Sequence, residues 1–209
     1  MDRVPTGATR PASHEGAGTL SSSLAEPRHI VLVGMMGSGK SRIGRKLAKA
    51  LGRRFVDTDS EIERRQGRTV REIFDRDGED AFRQIEAEVL ADVLASEGPS
   101  VIATGGGAAL RAANRSLMRQ HGLVIWLRAT PAAIAERMSE KGAAKRPLLA
   151  GTAGDPEALL DRLTDLCAQR DVGYHQVAHD VVNVDELPVA EIVDRLARLV
   201  AAVGETGVG

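Results

Sequence analysis

Residues 34–41 read Gly-Met-Met-Gly-Ser-Gly-Lys-Ser, a complete G-x-x-x-x-G-K-[ST] pattern between two segments of different periodicity. Before it lies His29-Ile30-Val31-Leu32-Val33, apolar and β-branched, which predicts a buried strand. After it, residues 42–51 place Ile43, Leu47 and Leu51 on one face of a helix. A strand that turns through glycines into a helix constrains the chain strongly, because that order builds a parallel sheet covered by helices. It also prescribes chemistry. Glycines let main-chain N–H groups approach phosphate oxygens, and the helix N-terminus adds positive potential. Gly37, Ser38, Gly39, Lys40 and Ser41 are therefore candidates for binding a nucleoside triphosphate. Lys40 would reach the β- and γ-phosphates, and the Ser41 hydroxyl would sit on Mg²⁺.

Beyond this loop, short apolar runs alternate with helical patterns. Strands are expected at 29–33, 54–57, 100–103, 123–127 and 180–184, and helices at 60–66, 69–76 and 78–96 between the second and third strands. Thr130-Pro131 and Asp155-Pro156 read as helix starts, as does the Glu186-Leu187-Pro188 segment. The last helix, 188–203, carries Val189, Val193, Leu196 and Val200 on one stripe.

A length of 209 residues suits one α/β domain, and a 43% hydrophobic content is sufficient for a core. The net charge of −1 suggests no electrostatic grip on nucleic acid or on an anionic membrane. The single cysteine, Cys167, excludes an internal disulfide and fits a reducing cytoplasm; it follows Leu159, Leu160, Leu163 and Leu166 on a helical stripe and is expected in the core. His175 and His179 form no convincing metal-ligand set. No apolar run approaches the ~18 residues that would cross a bilayer. Residues 1–27 mix Pro, Gly, Ser, Thr and Ala with isolated charges and no periodicity, so a disordered extension is expected there. The folded domain is expected over 28–204, with a flexible C-terminus at 205–209. A monomer is expected.

Residues 141–154 stand apart, with three glycines, the basic pair Lys145-Arg146 and no periodicity. A mobile cationic flap of this kind can shut water out of a phosphoryl-transfer site. Phe55-Val56-Asp57-Thr58-Asp59 puts two carboxylates at the end of the second strand, where parallel sheets bind ligands. One can approach the metal shell while the other reaches an acceptor hydroxyl. Gly105-Gly106-Gly107, after the third strand, offers bare backbone to a flat substrate. Arg83 and Arg170 are further candidates, each a weak signal alone.

Together these segments resemble the shikimate kinases over nearly all of 29–203. The likeness rests on the phosphate loop, on 55–63 (FVDTDSEIE), Ile73-Phe74, Asp77-Gly78-Glu79, 82–86 (FRQIE), Thr104-Gly105-Gly106-Gly107, Arg146-Pro147-Leu148-Leu149, and Arg170 with Tyr174 following. The resemblance implies a three-layer α/β/α P-loop kinase with a five-stranded parallel sheet and a mobile lid. It implies transfer of the ATP γ-phosphoryl group to the 3-hydroxyl of shikimate. Asp59 would hold the acceptor hydroxyls and act as base, and Asp57 would support Mg²⁺ through its water shell beside Ser41. Arg83 and Arg170 would clamp the shikimate carboxylate, with Gly105, Gly106 and Gly107 lining the acceptor site. Arg146 would neutralise the moving phosphoryl together with Lys40. The family often carries an arginine near the end of the last strand, where this chain reads Val184-Asp185-Glu186-Leu187, so Arg137 becomes the candidate to stack on adenine. Two alternatives are a gluconate-type or nucleotide kinase and a non-catalytic ATP-binding module. The paired arginines with the triple glycine count against the first, and the intact Lys40, Ser41, Asp57, Asp59 and Arg146 against the second.

Overall fold

The computed structural model describes residues 28–138, 142–143, 146–152 and 154–205. The expected extension at 1–27 and residues 206–209 lie outside the described residues, as do Lys141, Ala144, Lys145 and Ala153 of the expected lid.

Five parallel strands form one sheet: β1 (His29–Val33), β2 (Arg54–Asp57), β3 (Ser100–Ala103), β4 (Gly122–Arg128) and β5 (Asp180–Asn183). Their spatial order is β2-β3-β1-β4-β5. Every residue of β1 is buried, which is why that strand reads as an unbroken apolar run rather than an alternating one. Its pleat divides the molecule. Val31 and Val33 belong to a core shared with Ile62, Ile73, Met118, Ile134 and Leu163. These come from α2 (Thr58–Gln66), α3 (Val70–Ala95), α4 (Ala112–His121), α5 (Pro131–Arg137) and α6 (Pro156–Val177). Ile30 and Leu32 point the other way, into a core with Ile43 and Leu47 of α1 (Lys40–Ala50) and Ile192 and Leu196 of α7 (Val189–Glu205). Each such aliphatic side chain contributes roughly 1.5–3 kcal/mol on full burial. The result is the three-layer α/β/α arrangement.

Local signals account for most boundaries. Thr130 caps α5 by accepting from the Ala133 N–H, with Pro131 at the first position. Asp155 caps α6 through Glu157 and Ala158. The two helices expected at 69–76 and 78–96 are the two halves of α3, divided at Gly78, whose φ of 84° and ψ of 173° leave the helical region. α2 begins at Thr58, two residues earlier than expected, because the last residue of β2, Asp57, is also its N-cap. The final helix starts at Val189 and runs to Glu205, past the expected end.

The strand order creates the crevice. β1 lies beside β3, and Leu32, Ala103 and Asp57 are level across three adjacent strands. From β1 the chain enters α1 on one face of the sheet, whereas from β3 it continues toward α4 on the other. The two connections diverge and open a cleft above the carboxyl ends of the strands, as expected where strand order reverses.

Candidate active site

Two cavities occupy this cleft and share a wall. The first, about 310 Å³, is bordered by Gly37, Gly39, Lys40, Ser41, Asp57 and Thr104 among others. The second, about 280 Å³, is bordered by Phe74, Arg83, Glu86, Gly105, Gly107 and Arg170 among others. Met36, Asp59, Gly106 and Arg146 border both.

The phosphate loop builds the first cavity. The Ser38 N–H donates to the Met35 carbonyl at 3.1 Å and closes the turn, and the Gly39 N-cap lies at φ 91°. Lys40 is buried at the base of α1, and its Nζ donates to the carbonyls of Gly34 and Met35, each at 2.8 Å. Burial pulls its ammonium down to about 8, opposed by Asp59 and then Asp57, with Arg170 and Arg146 adding to the fall. Gly37, Gly39, Lys40, Ser41 and Arg146 all border the cavity as expected. Ser38 does not. Its side chain is buried under the loop and its N–H is committed to the turn, so it supports the loop rather than forming its wall.

Ser41 and Asp57 meet directly, the Ser41 hydroxyl donating to Asp57 Oδ2 at 2.5 Å. The other Asp57 oxygen accepts from the N–H groups of Asp59 and Ser60 at the start of α2. Two hard oxygen donors side by side at the phosphate end suit Mg²⁺, which takes one or two protein groups along with phosphate oxygens and water. Among the described residues no group of three or more His, Cys, Asp or Glu could hold a metal alone.

Because Asp57 takes the capping role, Asp59 is free to face the cleft. Its Oδ1 is buried with no hydrogen-bond partner among the described residues. Burial, then the neighbouring carboxylates Glu86 and Asp57, push its carboxyl up to about 6, while Lys40 and Arg83 oppose.

The acceptor-side cavity is assembled from distant segments. Arg83, on the second half of α3, donates to Glu86 Oε2 at 2.9 Å and to Glu79 Oε1 at 2.9 and 3.2 Å. Glu86 is buried, its other oxygen has no hydrogen-bond partner among the described residues, and burial raises its pKa. The glycines make room for these charges. A Cβ at Gly105 would collide with Glu86 and Asp59, and one at Gly107 with the Arg83 guanidinium. Arg170, buried on α6, reaches the same loop and donates to Met35 Sδ at 3.5 Å. Arg146 donates to the Gly142 carbonyl, and burial lowers its pKa, opposed by Asp59. Leu148 and Pro147 follow it into the acceptor-side wall.

All the expected acceptor-side residues are thus brought together. Sequence reading quoted Glu86, Thr58 and Tyr174 within its motifs but gave none of them a role. Glu86 carried a readable signal, a carboxylate three positions after Arg83 on one helix face. Thr58 Oγ1 accepts from the Gly105 N–H, and the Tyr174 hydroxyl donates to the Gly106 carbonyl; neither contact leaves a mark in local sequence. Arg137 donates from Nη2 to the carbonyls of Val184 and Asp185, both at 2.7 Å. This places it beside the very segment where the family's arginine was missed.

Comparison with known proteins agrees with this geometry. The family model for shikimate kinase matches residues 36–201. A shikimate kinase from Symbiobacterium thermophilum is 46% identical over 179 residues, covering 86% of this chain and 99% of that protein. The structure of shikimate kinase from Acinetobacter baumannii in complex with shikimate is similar at a TM-score of 0.77 and 35% identity, covering 87% of this chain and 97% of that one. A gluconokinase from Sinorhizobium meliloti 1021, at 22% identity and a TM-score of 0.54, shares the fold alone; it covers 87% of this chain and 96% of that one. Likeness of that length and identity extends across both cavities, and so the chain belongs to the shikimate kinase family and is an ATP-dependent phosphotransferase.

Proposed function

We propose that the two cavities hold ATP and shikimate end to end, and that the γ-phosphoryl group passes to the shikimate 3-hydroxyl across their shared wall, giving shikimate 3-phosphate and ADP. The observation that carries this reading is the position of Asp59. Asp59, whose Oδ1 has no hydrogen-bond partner among the described residues, borders both the cavity built by the glycine loop and the cavity lined by Arg83 and Arg170.

The roles follow from the surroundings. Phosphoryl transfer depends mainly on positioning and charge stabilisation. Lys40 and Arg146 supply positive charge on either side of the moving group. Asp59 accepts the hydroxyl proton at Oδ1, where burial has already raised its basicity above that of an ordinary aspartate. Arg83 and Arg170 are planar, permanently charged and buried, which suits a carboxylate. Ser41 and Asp57 would hold Mg²⁺, directly and through its water shell. When bound there, Mg²⁺ would supply charge neutralisation to the triphosphate. The Arg146 segment closes over the shared wall and excludes water. Arg137, held by the carbonyls of Val184 and Asp185, is proposed to stack on adenine.

A coupled ADP-release assay with Mg-ATP tests the assignment by comparing shikimate, gluconate and nucleoside monophosphates. Shikimate should be turned over far faster than the others. Preferential turnover of gluconate or a nucleotide would overturn the acceptor assignment.

A further inference from the structure

Three consecutive glycines carry no side chain with which to hold themselves, and they have more backbone freedom to lose than any other residue. The bonds around this loop show how it is fixed. The Gly105 N–H donates to Thr58 Oγ1 at 3.0 Å, and the Gly105 carbonyl accepts from Ala108 at 3.2 Å. The Gly106 carbonyl accepts from Tyr174 Oη at 2.5 Å, and the Gly107 carbonyl from Leu110 at 3.0 Å. None of these bonds uses the N–H of Gly106 or Gly107. Two of the four are made by side-chain hydroxyls from distant elements, Thr58 at the start of α2 and Tyr174 on α6.

Tyr174 lies one helical turn beyond Arg170, so one helix both brings a guanidinium to the cleft and grips the loop opposite it. Its ring is buried and meets Trp126 at a centroid distance of 5.4 Å. The preceding residue is Gly173, where a Cβ would stand only 2.7 Å from the Ala109 carbonyl oxygen; the missing side chain lets α6 lie against the turn that follows the loop.

We propose that Thr58 and Tyr174 are positioning residues for the acceptor acid, clamping Gly105–Gly107 from two sides so that the N–H groups of Gly106 and Gly107, which make no hydrogen bond among the described residues, and the Arg170 guanidinium present one preset carboxylate-binding surface. This rests on the acceptor reading above and adds to it the device that sets the geometry. Neither residue touches the reacting atoms. Loss of either hydroxyl loosens the loop and weakens binding of an anionic acceptor, and leaves the nucleotide side alone.

The test is kinetic. Tyr174→Phe keeps the ring and its contact with Trp126 but removes the donor. Expected is a rise in the shikimate KM of about tenfold, as for loss of a strong hydrogen bond, with the ATP KM unchanged. The methyl ester of shikimate, which lacks the negative charge, should show a much smaller rise. A shikimate KM equal to that of the parent, or equal rises for acid and ester, would overturn the clamp. Thr58→Ser should behave as the parent, whereas Thr58→Val should repeat the Tyr174→Phe pattern; identical behaviour of the two would remove Thr58 from it. Melting curves of each variant verify that the comparison is between folded proteins. If the parent enzyme fails to phosphorylate shikimate, the acceptor reading falls; if it succeeds and Tyr174→Phe matches it, only the clamp falls.

Discussion

The two halves of the cleft are built on opposite plans. The phosphate half comes largely from one contiguous segment, residues 34–41, and its proposed binding groups are main-chain N–H groups at the start of a helix. The acceptor half draws on α2, α3, the loop after β3, and α6, and it is lined by buried charges that restrain one another. A contiguous backbone site can serve any triphosphate, since it recognises a common shape. A site assembled from four segments recognises one acid, because its charges must converge. Generality and specificity thus reside in different kinds of structure only a few ångströms apart.

That contrast can be broken or sharpened by substitution. The largest effect is expected at the shared wall. Asp59→Asn should lower kcat by about 10²–10⁴-fold, the usual range for a lost general base, while ADP binding by calorimetry stays close to the parent value. Normal turnover would remove Asp59 from its role. Next is Arg83→Ala, which should raise the shikimate KM by about 30- to 150-fold, equivalent to roughly 2–3 kcal/mol of charge-assisted bonding, without affecting the ATP KM. An effect confined to ATP would mean that the two halves have been exchanged.

The pH profile addresses both halves at once. Asp59 must be ionised to accept a proton, so kcat/KM should fall as pH drops through about 6. Lys40 must be charged to hold phosphate, so kcat/KM should also fall as pH rises through about 8. Glu86→Gln removes the like charge that helps raise Asp59 and should move only the acid limb, by about one pH unit toward lower values. A shift of the basic limb instead would show that the halves are electrically inseparable.

The smallest effect concerns stability. Asp59 titrates at about 6 in the fold against an ordinary 3.8, so between these values the native state binds more protons than the unfolded chain. Stability therefore declines as pH rises from about 4 to about 6 and stays lower above that range. Asn carries no charge to desolvate. Asp59→Asn should accordingly be more stable than the parent at neutral pH, by on the order of 1–3 kcal/mol in denaturant titrations, even as it loses activity. A destabilised variant would indicate that attraction to Lys40 outweighs burial.

The same division explains what could be read from the chain. The strand, loop and first helix were legible because their signals are local: a β-branched run, glycines at fixed spacing, an apolar stripe. The break at Gly78 and the caps at Thr130 and Asp155 were legible for the same reason. The start of α2 was misplaced because Asp57 serves two elements at once, ending a strand and capping a helix. Ser38 satisfied the motif, yet its N–H closes the turn, a commitment that spacing alone does not reveal. Arg83 and Arg170 became readable through resemblance to a family. Thr58 and Tyr174 were passed over because each acts on a partner in a remote segment, and periodicity reports only what happens within one element; Glu86, three residues from Arg83 on the same helix, was passed over although its signal was local.

Trp126 is the only tryptophan in the chain, and it sits on β4 with the Tyr174 ring beside it and the His175 ring edge-on at 4.9 Å. Tyr174 in turn holds the Gly106 carbonyl. The molecule thus carries a single indole fluorophore two contacts away from the place where the acid is proposed to dock. Its emission offers a label-free optical readout of acceptor occupancy, with no second indole to blur the signal.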